Sequence, residues 1–357
     1  MRQFEADFRA FLGVPHAFAI SSCTAALELS AVLCDLKPGD EVIVPAHTFA
    51  ATAIPFARTG ATLKWADIDP ATRVVSPETI APLINKKTKA IVVVHLYGLP
   101  CDMTRISALA KEHGIKLVED AAQALGASAD GELAGTFGDF SCFSFHGHKN
   151  ISTLGEGGML VVKSPQDAAK VPGLRHNGGR PYPDRGESYW IPAMSDVDFD
   201  IPGFWPYNFC IGEVQCALGS ALLKRVAATS EKRKVRAQKF ILALSEFKEL
   251  TFQSTPKNCT HAWHLLPAQY DGSRFKKTRD DLIRTLAYEF GVQTVVQYYP
   301  LYRYPLFKKA GFGEASCPNT DRYFDNMLSF PFQEWMPEEE FELMIELTRK
   351  ALTRLRS

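Results

Sequence analysis

Up to about residue 163, apolar segments of strand length alternate with segments of helical period, and this alternation restricts the fold more than any other feature. Phe4, Phe8 and Phe11 or Leu12 share one helical face, and Gly13 can end that helix. Residues 16–20 read as a short strand and 24–36 as a helix, stopped by the turn Lys37-Pro38-Gly39-Asp40. Further strands are predicted at 41–45, 62–68, 90–96, 116–119, 140–145 and 159–163. Helices are predicted at 48–58 and 103–113, the latter capped by Asp102, and Ser76-Pro77 has the chemistry of another helix start. The pattern implies an α/β fold with a mainly parallel sheet and helices on both faces. Ligands of such sheets collect beyond the carboxyl ends of the strands, so the chemistry is expected there.

The periodicity stops over residues 175–207, which hold Gly178, Gly179, Gly186, Gly203 and five prolines. The aromatics Tyr182, Tyr189, Trp190, Phe199, Phe204, Trp205 and Tyr207 argue for an ordered loop that packs on a site or a partner subunit. Helices follow at 213–223 and 231–247, then strands near 264–270 and 292–299 and a last helix near 338–355. A chain of 357 residues has room for two domains. They are placed at 1–223, a large α/β domain carrying the loop 175–207, and 224–357, a smaller C-terminal α+β domain. Lys plus Arg and Asp plus Glu both number 40, and this zero net charge argues against nucleic acid or an anionic membrane as the main partner. The eight cysteines form no C-x-x-C pair and no zinc spacing, as for buried thiols in a reducing compartment. With no apolar signal core and no apolar window long enough to span a bilayer, the expected location is the cytoplasm.

Motifs at the predicted strand ends carry the chemistry. Ser21-Ser22-Cys23-Thr24-Ala25 enters a helix whose N-terminus suits a phosphate dianion, although it also reads as an ordinary N-cap. Phe49, just after the strand 41–45, could stack on a flat heterocycle or sit in the core. Asp120, in Glu119-Asp120-Ala121-Ala122-Gln123, could hold a pyridine nitrogen protonated or cap the next helix. Lys149 follows Ser144-Phe145-His146-Gly147-His148. In a crevice beside two histidines its amine can lose its charge and form a Schiff base; without that context it is a surface lysine. Gly155-Glu156-Gly157-Gly158 is a tight turn matching neither a P-loop nor a dinucleotide fingerprint. A phosphate cradle, a ring stack, a carboxylate and a lysine in this order make sense for pyridoxal 5′-phosphate (PLP).

These blocks, with Val44-Pro45-Ala46-His47-Thr48-Phe49, Val94-His95-Leu96-Tyr97-Gly98-Leu99-Pro100 and Tyr207-Asn208-Phe209, resemble the DegT/DnrJ/EryC1/StrS family of PLP-dependent sugar aminotransferases, within the fold type I aminotransferase superfamily. The resemblance covers nearly the whole chain. It implies that Lys149 carries the cofactor and shuttles the proton, Asp120 partners the pyridine nitrogen and Gln123 lies near the ring hydroxyl. It further implies that Phe49 stacks on the ring and that Thr24, Ala25 and Ser144, with Cys23 beside them, hold the phosphate. Asn208 matches an asparagine that reaches the cofactor of the neighbouring subunit, which implies a homodimer with shared sites. The implied reaction passes an amino group from glutamate or glutamine to a nucleotide-linked keto-sugar.

Several positions depart from the family pattern. Cys23 stands in place of the usual glycine, His148 in place of threonine and Cys210 in place of arginine; Tyr302 replaces a common histidine, and Val296-Gln297-Tyr298 lacks another. These changes fall where sugar or donor is expected to bind. The chain begins partway into the usual family sequence, so the family's N-terminal segment is expected to be missing. The rival readings are a sugar dehydratase, whose relatives carry histidine at the position of Lys149, a PLP-binding sensor or scaffold without transaminase activity, and a nucleotide-binding transferase without PLP.

Overall fold

The computed structural model describes residues 1–179 and 204–356. Helix α1 (Arg2–Leu12) buries Phe4, Phe8 and Leu12 and ends on Gly13, whose φ of 73° is the left-handed conformation that glycine adopts without a Cβ clash. Strand β1 (Ala17–Ile20) leads into α2 (Cys23–Leu33). Then come β2 (Glu41–Pro45), α3 (Ile54–Arg58), β3 (Thr62–Ala66), α4 (Pro77–Ile80), β4 (Thr88–Val94), α5 (Met103–Glu112) and β5 (Lys116–Asp120). Ser76 and Thr79 form a capping box on α4, and Asp102 caps α5 by accepting from the Arg105 N–H at 3.2 Å. A ribbon of β6 (Ser128–Ala129) and β7 (Glu132–Leu133) precedes β8 (Phe140–Ser144), β9 (Gly158–Val162), α6 (Pro165–Arg175), α7 (Glu213–Leu223) and α8 (Val226–Ala243).

Among the described residues the central sheet has seven strands in the order β1-β9-β8-β5-β4-β2-β3. Only β9 runs against its neighbours β1 and β8; the pairings of β8, β5, β4, β2 and β3 are parallel. Strand alternation sends Val42, Val44, Val92, Val118, Phe140 and Leu160 into one core, shared with Ala26, Leu29 and Phe56 of α2 and α3. Ile43, Ile91, Val93 and Leu117 face the opposite core with α5. In a separate cluster the Phe8 ring centroid of α1 lies 5.0 Å from that of Phe143. Both faces are covered, which is why these strands read as near-continuous apolar runs.

Two expectations need correction. Residues 48–58 do not form one helix: a 3-10 turn at Ala50–Thr52 is followed by α3, which has Pro55 in its first turn. Proline cannot donate to a preceding turn, so the chain restarts its helix there and leaves Thr52 pointing toward the sheet end. Residues 292–299 form no strand; a single bridge joins Val295 to Ser329. Beyond it the chain runs to the sheet, where the Tyr97 hydroxyl donates to the Gln297 carbonyl at 2.7 Å.

A second sheet, antiparallel, joins β10 (Leu250–Phe252), β12 (Leu266–Tyr270) and β13 (Met327–Phe330) in the order β10-β12-β13. Helix α8 and the helix Glu338–Arg356 cover it, through Phe240, Phe341 and Leu352. Strand β11 (Cys259–Thr260) pairs with β6, tying this part of the chain to the central one. After α6 the chain is pinned by the Asn177 N–H on the Tyr207 carbonyl at 2.8 Å and the Phe209 N–H on the Arg175 carbonyl at 2.9 Å. The ordered-loop reading of 175–207 falls mostly on residues 180–203, outside the described residues.

Candidate active site

The carboxyl ends of β1, β2, β5 and β8, and the start of the antiparallel β9, meet along one edge of the sheet. Ile20 and Ser144 both stand opposite Gly158 in register. Over this edge lies a cavity of about 760 Å³, lined by Ser22, Cys23, Thr24, Phe49, Asp120, Gln123, Ser144 and Lys149 from the sheet side. Arg233, His264, Tyr298 and Trp335 close it from the other side.

Asp120 sits at the floor and is 5% exposed. Its Oδ2 accepts from the Thr52 hydroxyl at 2.7 Å and its Oδ1 from the Ala122 N–H at 3.2 Å; the Cys23 thiol lies 3.9 Å from Oδ1. Burial pushes the carboxyl above its ordinary value, against the Thr52 and Ala122 donors and Lys149, which favour the charged form. Among the described residues no cationic side chain forms an ion pair with it. Burial lowers the Lys149 amine below its ordinary value, while Cys23 and Asp120 pull the other way. The lysine is thus made more readily neutral by desolvation, and not by the adjacent histidines, which the sequence had offered as neighbours. His146 and His148 instead stack edge-on at 5.1 Å, with His146 Nε2 3.8 Å from Glu156.

Gln123 is held at both ends. Its Oε1 accepts from the Tyr97 N–H at 2.7 Å, and its Nε2 donates to the Tyr298 hydroxyl at 3.1 Å. Phe49 is 57% exposed at the cavity mouth, its ring edge-on to Tyr298 at 6.0 Å. At the N-terminus of α2, Thr24 is exposed and Cys23 is buried. The Ala25 N–H already donates to the Ser22 hydroxyl at 3.1 Å, and Ala25 is not among the lining residues. Ser144 Oγ accepts from the His146 N–H at 3.3 Å. Asn208 is exposed, bridges to His176 and does not line this cavity.

The neighbour of Asp120 is the anchor of this strand end. Glu119 is fully buried and accepts from the N–H groups of Gly135, Phe137 and Gly138, from the Ser141 hydroxyl and from His95 Nε2 at 2.9 Å. Burial alone would raise its pKa, but these donors, His95 foremost, outweigh it and hold the carboxyl below its ordinary value. A depressed value means stability that is present above the unfolded-state pKa of about 4.3 and is lost as pH falls through the folded value. Glu119→Gln turns an amide NH2 toward existing donors, and the expected loss is about 3 kcal/mol or more in urea denaturation at neutral pH. The variant should also lose part of the acid-side fall in stability.

Gly158 explains how β9 meets α2. A Cβ there would lie 2.4 Å from the Ser22 carbonyl carbon and 2.7 Å from the Cys23 nitrogen. Gly158→Ala is therefore expected to push the α2 N-terminus aside and to cost about 1–3 kcal/mol, read as a lower thermal midpoint.

The sequence alone did not single out Thr52, Arg233, His264 or Trp335 as site residues. Arg233 lies in the charged run Glu231-Lys232-Arg233-Lys234, which reads as a solvated helix face, yet it is 5% exposed. It donates to the carbonyls of Trp263, His264 and Phe332 and pairs with Glu334.

The model of the DegT/DnrJ/EryC1/StrS aminotransferase family matches residues 1–348. The chain belongs to this family. It is 35% identical over 355 residues to the spore coat polysaccharide biosynthesis protein SpsC of Bacillus subtilis, covering 98% of this chain and 88% of that protein. It is 32% identical over 351 residues to a UDP-N-acetyl-3-dehydro-alpha-D-glucosamine 3-aminotransferase of Acidithiobacillus ferrooxidans, covering 98% and 88%. The crystal structure of NtdA from Bacillus subtilis, with bound cofactor PMP, superposes with a TM-score of 0.85 at 26% identity, covering 99% of this chain and 77% of that one. The protein is thus an aminotransferase with the fold type I architecture, in a family of PLP-dependent enzymes that includes sugar aminotransferases. Among the described residues no helix is long and apolar enough to cross a membrane.

Proposed function

We propose that this protein transfers an amino group from glutamate or glutamine to a nucleotide-linked keto-sugar, using PLP bound at Lys149. The observation that carries this reading is the pairing, in one cavity, of a desolvated lysine with a buried carboxyl that has hydroxyl and N–H donors but no cationic partner among the described residues. A pyridinium nitrogen is the partner such a carboxyl fits, and the N-terminus of α2 with Thr24 fits a phosphate. When bound, the cofactor supplies an aldehyde for amine exchange and a ring that takes up the electrons of a broken Cα–H bond.

The residues of the chain have separable tasks. Lys149 Nζ would hold the cofactor covalently and, as a free amine, would accept and return the Cα proton. Asp120, braced by Thr52 and Ala122, would hold the ring nitrogen protonated. Gln123, clamped between Tyr97 and Tyr298, would offer a fixed amide to the ring hydroxyl. Phe49 would cover one ring face, and Ser144 would join Thr24 and Cys23 around the phosphate. Asn208, exposed and away from its own cavity, serves the site of a second copy in a homodimer.

Lys149 also favours amino transfer over sugar dehydration, because dehydration needs no amine that is released and regained. The test offers the PLP-loaded protein a panel of UDP- and GDP-linked keto-hexoses with glutamate and follows products by mass spectrometry. An amino-sugar from at least one substrate supports the reading. Binding of PLP with no product from any member, or loss of water in place of amine gain, contradicts it.

A further inference from the structure

Asn150, next to Lys149, joins the lysine loop to the segment that forms the far wall of the cavity. Its Nδ2 donates to the Ala262 carbonyl at 3.0 Å. A carbonyl oxygen only accepts, so this bond fixes which end of the amide faces which neighbour. The Asn150 Oδ1 therefore faces His264 Nδ1, 3.3 Å away. That oxygen also only accepts, so Nδ1 carries the ring proton. Burial, reinforced by Lys149 and Arg233, pushes the His264 imidazole well below its ordinary range. The ring is neutral, and its Nε2 holds a free lone pair.

His264 is 4% exposed and lines the cavity, and among the described residues its Nε2 has no hydrogen-bond partner. The backbone around it is fixed. Its N–H donates to the Tyr97 carbonyl at 2.9 Å, and its carbonyl accepts from Arg233 Nη2 at 2.6 Å. Gly98 permits this approach, since a Cβ there would lie 3.0 Å from the His264 nitrogen. An unpartnered acceptor on a buried residue with a rigid frame is suited to reading a ligand.

We propose that His264 Nε2 accepts a hydrogen bond from one hydroxyl of the sugar and so determines which keto-sugar this enzyme takes. The proposal rests on the keto-sugar reading above. The character of the wall selects a hydroxyl over other groups. Nε2 has no proton to offer a carboxylate or phosphate, and the cationic Arg233 nearby disfavours an ammonium. Asn150 is the positioning residue that holds the tautomer.

The experiment compares the PLP-loaded wild type with His264→Phe and His264→Gln, using the accepted UDP- or GDP-linked keto-hexose and its singly deoxygenated analogues. For the wild type, removal of one particular hydroxyl should lower kcat/KM on the order of 10–100-fold. His264→Phe should lose a similar factor on the full substrate and become indifferent to that hydroxyl. His264→Gln, which can donate to Asn150 and accept from the sugar with one amide, should recover part of the loss and keep the discrimination. Nitrogen NMR of imidazole-labelled protein gives a readout free of turnover: His264 should be the Nδ1–H tautomer across neutral pH, and its Nε2 signal should move when the nucleotide-linked amino-sugar is added. An unchanged hydroxyl profile in His264→Phe, or an Nε2–H tautomer in the free protein, overturns the inference while leaving amino transfer intact. An equal loss for all sugars with altered PLP loading would make His264 a partner of Lys149 instead, and also overturns it. No turnover of any keto-sugar by the wild type removes the reading on which it rests.

Discussion

Lys149→Ala should abolish amino transfer while leaving the protein folded. The side chain lines the cavity and the residue as a whole is half-buried, so its removal opens no core void. Loss of the proton-transferring group alone should lower kcat by about 10²–10⁴-fold, and loss of covalent attachment adds to this. Borohydride reduction of the PLP-loaded wild type should leave a cofactor adduct on the peptide containing Lys149. The variant should give no such adduct, yet its urea unfolding should match the wild type. Because burial lowers the amine from its ordinary value, the pH at which wild-type cofactor attachment becomes efficient should lie below that of an exposed lysine. Retained turnover in Lys149→Ala would show that another group moves the proton.

Asp120→Asn separates activity from stability. The amide keeps the shape of the carboxyl but cannot balance a positive ring nitrogen, and activity is expected to fall on the order of 10²–10³-fold. Without cofactor the stability should move the other way. The folded-state pKa of Asp120 is raised, so the native state binds its proton more tightly than the unfolded chain. Stability is then lost as pH rises from the unfolded value through the folded one, and above the folded value the charged carboxyl stays buried at a cost. Asp120→Asn removes that cost, and the cofactor-free variant should unfold at a urea concentration equal to or above that of cofactor-free wild type. A variant that is both inactive and markedly less stable without cofactor would mean that Asp120 is chiefly a structural residue.

The sheet side of the site was legible in the sequence because parallel strands place their ends together. Asp120, Ser144 and Lys149 could each be tied to the end of an apolar run, and the glycine turn at 155–158 marked the start of the next strand, though not its antiparallel direction. The opposite wall was not legible. Arg233 hides in a run of charges, and its burial depends on carbonyls contributed by residues 263, 264 and 332. His264 is neutral because of packing and an amide orientation set by Ala262, which no spacing reveals. Residues 292–299 have strand composition, yet one bridge to Ser329 is all that forms, because the chain leaves the second sheet to bring Tyr298 to Gln123. Thr52 was assigned to a helix that Pro55 prevents, and the resulting break is what delivers its hydroxyl to Asp120.

The central claim is that this cavity moves an amino group by way of Lys149 and Asp120. It is tested most directly by mixing the PLP-loaded protein with glutamate in the absence of any sugar and quantifying 2-oxoglutarate in a single turnover. The account predicts release stoichiometric with cofactor sites, abolished in Lys149→Ala and slowed in Asp120→Asn. Release of no 2-oxoglutarate, with glutamine equally inert, would contradict it.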